Sequence, residues 1–405
     1  MRRHIWSLFL LVRNHLLRAR ERIFKIPVLR VKVGDEYLDM PGFHPIDPRV
    51  DRAFQSFYTS FFSDLDFARL INEYLPPLYS SIPPYFRRIH KVRPTQERIL
   101  NNLTPAWRTY LSNGYLQYAQ GLWQNVHRAT ETWEKSIGTR LLKGSVFYYW
   151  GGTALLQGEL DRGFFLMHAA YEEDVETTKR DLPNTPAFKF VSLDFEATDQ
   201  LFRVHLEMYA DYLNQFLINY RLSKPSGMTK EEFRRNFLQG VSDTSIPFMF
   251  THTLAKAHAL RQFSPYLKRS RFASQYELNL LFDLTMVIDA ALKGKIVGFW
   301  RFSDLVASLS ASSGLSLAAS DLKQDLNQSA DIDFNKTVLD LLDQVYTLQS
   351  GRFLTRLECD IGVSYCVRNH AAHNISFSPV VWSRFEHILQ SLFNVLFLSV
   401  KELYP

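Results

Sequence analysis

Cysteine is nearly absent. The 405 residues hold two, Cys359 and Cys366, too few for a disulfide scaffold or a four-cysteine zinc site. Seven positions apart, they share one helix face and are expected as buried thiols. No apolar run approaches the length of a membrane span. Three signatures are missing: a phosphate-cradling glycine loop followed by lysine, a zincin His-Glu motif, and a Gly-x-Ser-x-Gly elbow. The acidic run Glu172-Glu173-Asp174, with Glu176 beyond it, lacks the glycine of a calcium loop and reads as a solvated helix face. Asp331-Ile332-Asp333 reads better as a helix N-cap than as a cation site. No cofactor and no metal is expected.

What is present is apolar and aromatic. Hydrophobic residues make up 46% of the chain and aromatic residues 14%, which excludes a largely disordered protein. The length allows two or three domains with a sizeable core. A net charge of +6 and a pI near 9.1 permit RNA or an acidic membrane as partner and single out neither. The apolar run Ile5–Val12 is short, is ended by Arg13 and is followed by no small-residue cleavage site, so a cytoplasmic location is expected. Basic and apolar residues interleave from Arg2 to Lys32. An amphipathic helix docked on the protein fits this best, and contact with a membrane or RNA is the alternative.

Apolar spacing along most of the chain is that of helices, so the expected class is all-α. Residues 1–100 are irregular or mixed, with a short strand expected at Val28–Val33 and breaks at Pro76-Pro77 and Pro83-Pro84. The basic stretch Arg87-Arg88-Ile89-His90-Lys91 fits a solvated face, with RNA phosphates the sharper reading. Residues 101–222 read as a helical region. Within it, Gly144–Gln157, a Gly-Glu-Leu-Asp-Arg-Gly turn over 158–163, and Phe164–Tyr171 form a helix-turn-helix unit. Gly151, Gly152 and Ala154 would let a neighbouring helix approach closely. A linker is expected over 222–227, and a second domain over 229–405. Thr229/Glu232 and Ser274/Glu277 read as capping boxes, the second opening a helix from Gln275 to Lys293 that Gly294 ends as a left-handed cap. Further helices are expected near 299–311, 335–348, 353–372 and 380–402, the last opened by Ser378-Pro379. The serine-rich stretch 308–320 reads as a loop.

The chemistry concentrates in Val367-Arg368-Asn369-His370-Ala371-Ala372-His373-Asn374. Arginine grips phosphate with a permanent charge, and histidine exchanges a proton near neutral pH. Only Arg162–His168 and Arg368–His373 place an arginine five to seven residues before a histidine, and the first pair is set aside because Gly163 suggests a turn between them. Asn369 and His373 are four apart and share a helix face, with Arg368 one step round. The partial negative charge of a helix C-terminus favours a protonated His373.

Arg368-Asn369-His370-Ala371-Ala372-His373 resembles the signature of the HEPN family, small helical domains of many prokaryotic RNase toxins and defence proteins. That signature is an arginine, a polar residue, spacers and a histidine, and the resemblance covers roughly the last 160 residues. The upstream hairpin resembles tetratricopeptide packing, although bulky Phe164 stands where that repeat has a small residue and no second copy follows. The HEPN resemblance implies metal-independent endoribonuclease activity at a composite site in a homodimer. Arg368, Asn369 and His373 would carry it on single-stranded or looped RNA. His370 is a further candidate, as are Asp289 and Lys293, which match an acidic-then-basic spacing of the family's first helix but also fit an ordinary surface pair. Ile375 stands where the toxin branch often has tyrosine. Toxin–antitoxin or stress-defence roles, and a protein or nucleotide regulator at the N-terminal helical region, are implied by resemblance alone. The bland alternative is a helix end, with Arg368 on Glu358 or Asp360. A non-catalytic module binding RNA, nucleotide or protein is the functional rival.

Overall fold

The computed structural model describes residues 29–33 and 36–40, scattered positions between 104 and 114, and residues 116–405. Position 139 and the stretches 179–184, 196–199, 224–226, 264–269, 327–330 and 374–377 are not covered. The interleaved basic segment before Leu29, the proline breaks and Arg87–Lys91 lie outside the described residues. Strands β1 (Leu29–Val33) and β2 (Glu36–Met40) pair antiparallel, Leu29 opposite Met40 and Val33 opposite Glu36, and β1 is the expected short strand. Every other regular element described is helical, so the all-α expectation holds for the bulk of the chain. None of these helices is long and apolar enough to cross a membrane.

The chain divides into two compact units, Met1–Phe188 and Lys189–Pro405. The first contains α1 (Leu116–Ile137), α2 (Gly144–Leu156) and α3 (Leu160–Thr178). Its core holds Trp107, Trp123 and Tyr149, with Trp107 donating to Thr153 at 2.8 Å. The helices α2 and α3 form a hairpin whose turn falls at Gly158, where φ is +79°. Gly163 therefore lies inside α3 rather than in a turn. It is still needed there, because a Cβ at Gly163 would stand 2.5 Å from Leu155, and one at Gly151 would stand 3.0 Å from the Gly163 carbonyl. The small residues bring the two backbones together as the sequence suggested. Glu173 and Glu176 of the acidic run pair with Arg140 at 3.0 and 2.5 Å. Their charge is thus met by side chains, and no metal-binding group occurs among the described residues. Arg162 pairs with Glu159 at 3.1 Å and lies over Trp150.

A short helix α4 (Pro186–Val191) leads into the second unit, which holds α5 (Gln200–Ser223) and α6 (Lys230–Phe233), the latter running on as a π-turn over Arg234–Leu238. After these come α7 (Ser245–Phe263), α8 (Arg271–Lys293), α9 (Phe302–Ser312), α10 (Ala319–Asp325), α11 (Asp331–Leu342), α12 (Arg356–His373) and α13 (Pro379–Leu403). The helix α13 is apolar on nearly every side from Ile388 to Val400 and is correspondingly central, lying against α5, α8, α11 and α12. Phe393 stacks on Phe216 at 4.2 Å, and Phe397 meets Phe233 and Tyr220. The second unit thus begins earlier than the linker at 222–227 suggested, because aromatic residues of α5 complete its core.

Three local expectations change. Ser270, not Ser274, caps α8. Ser274 is buried and bonded to Ser378 at the start of α13, and Glu277 is buried too. Gly294 stays right-handed at φ −64°. A Cβ there would lie 3.0 Å from the hydroxyl of Tyr404, so close approach is what it provides. The helix expected near 299–311 is present as α9, but residues 308–312 of the serine-rich stretch belong to it rather than to a loop, and only 313–318 are irregular, with Ser310 Oγ accepting from the Leu317 amide. The Thr229/Glu232 capping box and the Ser378 cap with its following proline are present as read. Both cysteines are free and buried, and burial pushes each thiol up to about 12.

Candidate functional site

The motif occupies the last two turns of α12. Short links set the direction. Asp360, near the start of α12, accepts from Asn394 late in α13 at 2.9 Å, so these helices run antiparallel. Ser274 meets Ser378 and Tyr404 donates to Ala291 at 2.7 Å, so α8 and α13 run parallel. The Arg368 end of α12 therefore faces the first half of α8.

Arg368 is half-buried, with its guanidinium 5.5 Å from the ring centre of Phe282 on α8. Its Nε is buried and has no hydrogen-bond partner among the described residues, and no carboxylate pairs with it there. The two carboxylates that would have made it a structural helix end are engaged elsewhere. Glu358 accepts from Arg352 at 3.0 Å, from the Ser316 amide at 2.9 Å and from the Thr355 amide at 2.8 Å. Burial pushes its carboxyl up, but the bonds from Thr355, Ser316 and Arg352 outweigh this and hold it below the usual range. Asp360 lies inside the bundle, where burial raises its carboxyl to about 6 against the hydrogen bonds from Ser391 and Asn394.

Asn369, half-buried, makes a side-chain hydrogen bond with Tyr365 one turn earlier. Burial raises the Tyr365 phenol and that bond opposes the rise. Lys323, paired with Asp304 at 2.7 Å, acts on Tyr365 electrostatically. His373 belongs to the final turn of α12, and its side chain lies outside the described residues. His370 differs from both. It is 1% exposed and stacks flat on Phe334 at 3.8 Å with an 8° interplanar angle. A ring held so deeply packs the bundle and is closed to a substrate arriving from solvent.

Asp289 and Lys293 are bonded at 2.6 Å. They continue the α8 stripe that carries Phe282, seven and eleven residues on, which at 1.5 Å per residue puts them about 10 and about 16 Å further along the axis. The fold does not bring them to Arg368. Gln275 and Asn279, bonded at 3.0 Å, lie on the same stripe on the other side of Phe282, nearer the end toward which α12 runs. The aromatic floor and these amides have no local sequence signal, because they sit on another helix. The i, i+4 spacing of Tyr365 and Asn369 was available in the sequence. No family model, curated protein or solved structure matches the chain.

Proposed function

We propose that the end of α12 is the phosphate-handling site of a metal-independent, HEPN-type endoribonuclease. The observation that carries this reading is Arg368: a guanidinium laid on Phe282 with no carboxylate among the described residues, while Glu358 and Asp360 are bound by other groups. An arginine without a neutralising partner keeps its donors for an anion.

In the proposed reaction the ribose 2′-hydroxyl attacks the adjacent phosphorus, and the bond to the 5′-oxygen breaks. One base takes the 2′ proton and one acid protonates the leaving 5′-oxygen. His373 serves in one of these roles. A second copy of the chain in a homodimer serves in the other. Arg368 stabilises the charge that grows on the phosphorane, and Asn369, steadied by Tyr365, orients the phosphate. Single-stranded or looped RNA is the substrate class. A role in defence or stress response goes with the resemblance.

The test is incubation of the purified chain with structured and unstructured RNA in EDTA, beside Arg368→Ala and His373→Ala. Chelator-resistant products with 2′,3′-cyclic phosphate ends, lost in both variants, support the nuclease. RNA binding without cleavage, weakened by Arg368→Ala alone, moves the site to a binding module. Equal cleavage by all three proteins defeats the assignment.

A further inference from the structure

The segment from Lys293 to Arg301, Lys-Gly-Lys-Ile-Val-Gly-Phe-Trp-Arg, joins α8 to α9 and carries three cations and no acid. It turns twice without regular structure, and Gly298 sits at φ +92°, a conformation that side-chain-bearing residues rarely adopt. Ile296 is half-buried, but the other three apolar side chains point away from the protein: Val297 is 93% exposed and Trp300 85%, with Phe299 also exposed. A large apolar residue exposed singly is ordinary, but three within four positions on one turn are not. At the base of this turn lies a cavity of about 410 Å³, lined in part by Gly240, Ser242, Asp243, Lys293, Lys295 and Tyr404. Lys295 stands over the Tyr404 ring at 4.6 Å, and Lys293 is paired with Asp289.

We infer that this turn is a membrane-docking tip that inserts Val297, Phe299 and Trp300 into an anionic lipid surface. Lys293, Lys295 and Arg301 would then lie at the level of the headgroup phosphates. The arrangement matches a bilayer in order: an apolar tip for the acyl boundary, tryptophan at the interface, cations behind it. Single-stranded RNA is the other anionic partner that aromatic residues attract, by base stacking. Val297, the most exposed side chain of the turn, has no ring face to offer a base, which favours lipid. The inference is independent of the nuclease reading, since the turn follows Lys293, about 16 Å along α8 from Phe282 and at the end away from which α12 runs.

Co-sedimentation of the full chain tests it, with vesicles of phosphatidylcholine alone and of phosphatidylcholine mixed with phosphatidylserine. Binding is expected only to the mixed vesicles. Trp300→Ser should weaken it about tenfold to a hundredfold, the loss of one large inserted side chain. Lys295→Ala should weaken it about fivefold, the share of one surface cation. Trp300→Phe keeps an apolar ring and should bind nearly as wild type, while losing the part of tryptophan quenching caused by lipids brominated in their acyl chains. Circular dichroism matching wild type shows that the variants fold. Absence of binding to the mixed vesicles overturns the inference, as does binding unaffected by Trp300→Ser. So does a turn whose substitution instead abolishes self-association or RNA binding.

Discussion

The two halves of α12 are held in opposite ways. In the first half each carboxylate is bound. Glu358 gathers Arg352 and two backbone amides, and Asp360 is tied to Ser391 and Asn394 inside the bundle. In the last turns the polar groups have fewer ties. Arg368 rests on a ring, and Asn369 is bonded to a tyrosine of its own helix. One helix thus carries charge that organises the bundle at one end and, at the other, an arginine with no ion-pair partner among the described residues. His370, stacked on Phe334 between Asn369 and the final turn, shows that the division is by helix face as well as by position. Polar groups that complete a fold are expected to affect stability when removed. Polar groups kept for a ligand are expected to affect function alone.

Four substitutions sharpen or break that contrast. The largest effect is expected from Arg368→Ala, which should lower RNA cleavage by about 10²–10³-fold, the usual cost of removing a donor to a developing oxyanion. Single-turnover cleavage in excess protein would read it. Next is Asp360. Its folded pKa of about 6 lies above the ordinary carboxylate value, so folding favours its protonated form. The stability this gives is complete below about pH 4 and is lost as pH rises through about 6, up to about 3 kcal/mol for a two-unit shift. Glu277, raised to about 7 by burial and then by Glu386, acts with the same sign and extends the loss to about pH 7. Urea unfolding between pH 4 and 8 should show the decline, and Asp360→Asn should flatten part of it. An unchanged slope in that variant would show that Asp360 is not the buried acid described.

A smaller effect, about 2 kcal/mol of stability, is expected from His370→Ala, which opens a cavity against Phe334. Thermal unfolding measures it, and RNA cleavage by the folded fraction should be retained. Loss of cleavage at full stability would return His370 to the site. The smallest is Tyr365→Phe, removing the bond to Asn369 at a cost of about 1 kcal/mol in one of two places. If Asn369 orients a phosphate, the cost appears as about a fivefold fall in cleavage rather than in the unfolding midpoint.

What the sequence made legible follows from how local the cause is. The capping box at Thr229/Glu232 and the cap at Ser378 are built from neighbouring residues, and both were readable. Ser274/Glu277 has the same spacing but is overruled from a distance. Ser378 takes the Ser274 hydroxyl, Glu277 is buried, and α8 starts a turn earlier at Ser270. The glycines divide in the same way. Gly158 makes a turn, whereas Gly163 and Gly294 make room for Leu155 and Tyr404, which no short window reveals. At the site, the identities of Arg368 and Asn369 and their common helix were legible. Phe282 beneath the arginine and Phe334 beneath His370 were not, because each comes from another helix. The spacing of Asp289 and Lys293 was visible too, but a spacing along one helix does not give its distance from the end of another.

The most direct test pairs two readings on one variant: the unfolding midpoint and the RNA-cleavage rate of Arg368→Ala beside wild type. A midpoint close to wild type and a cleavage rate near zero are expected. A midpoint several degrees lower, with RNA cleaved and bound as by wild type, would make Arg368 a structural residue and contradict the division of α12 on which the proposed site rests.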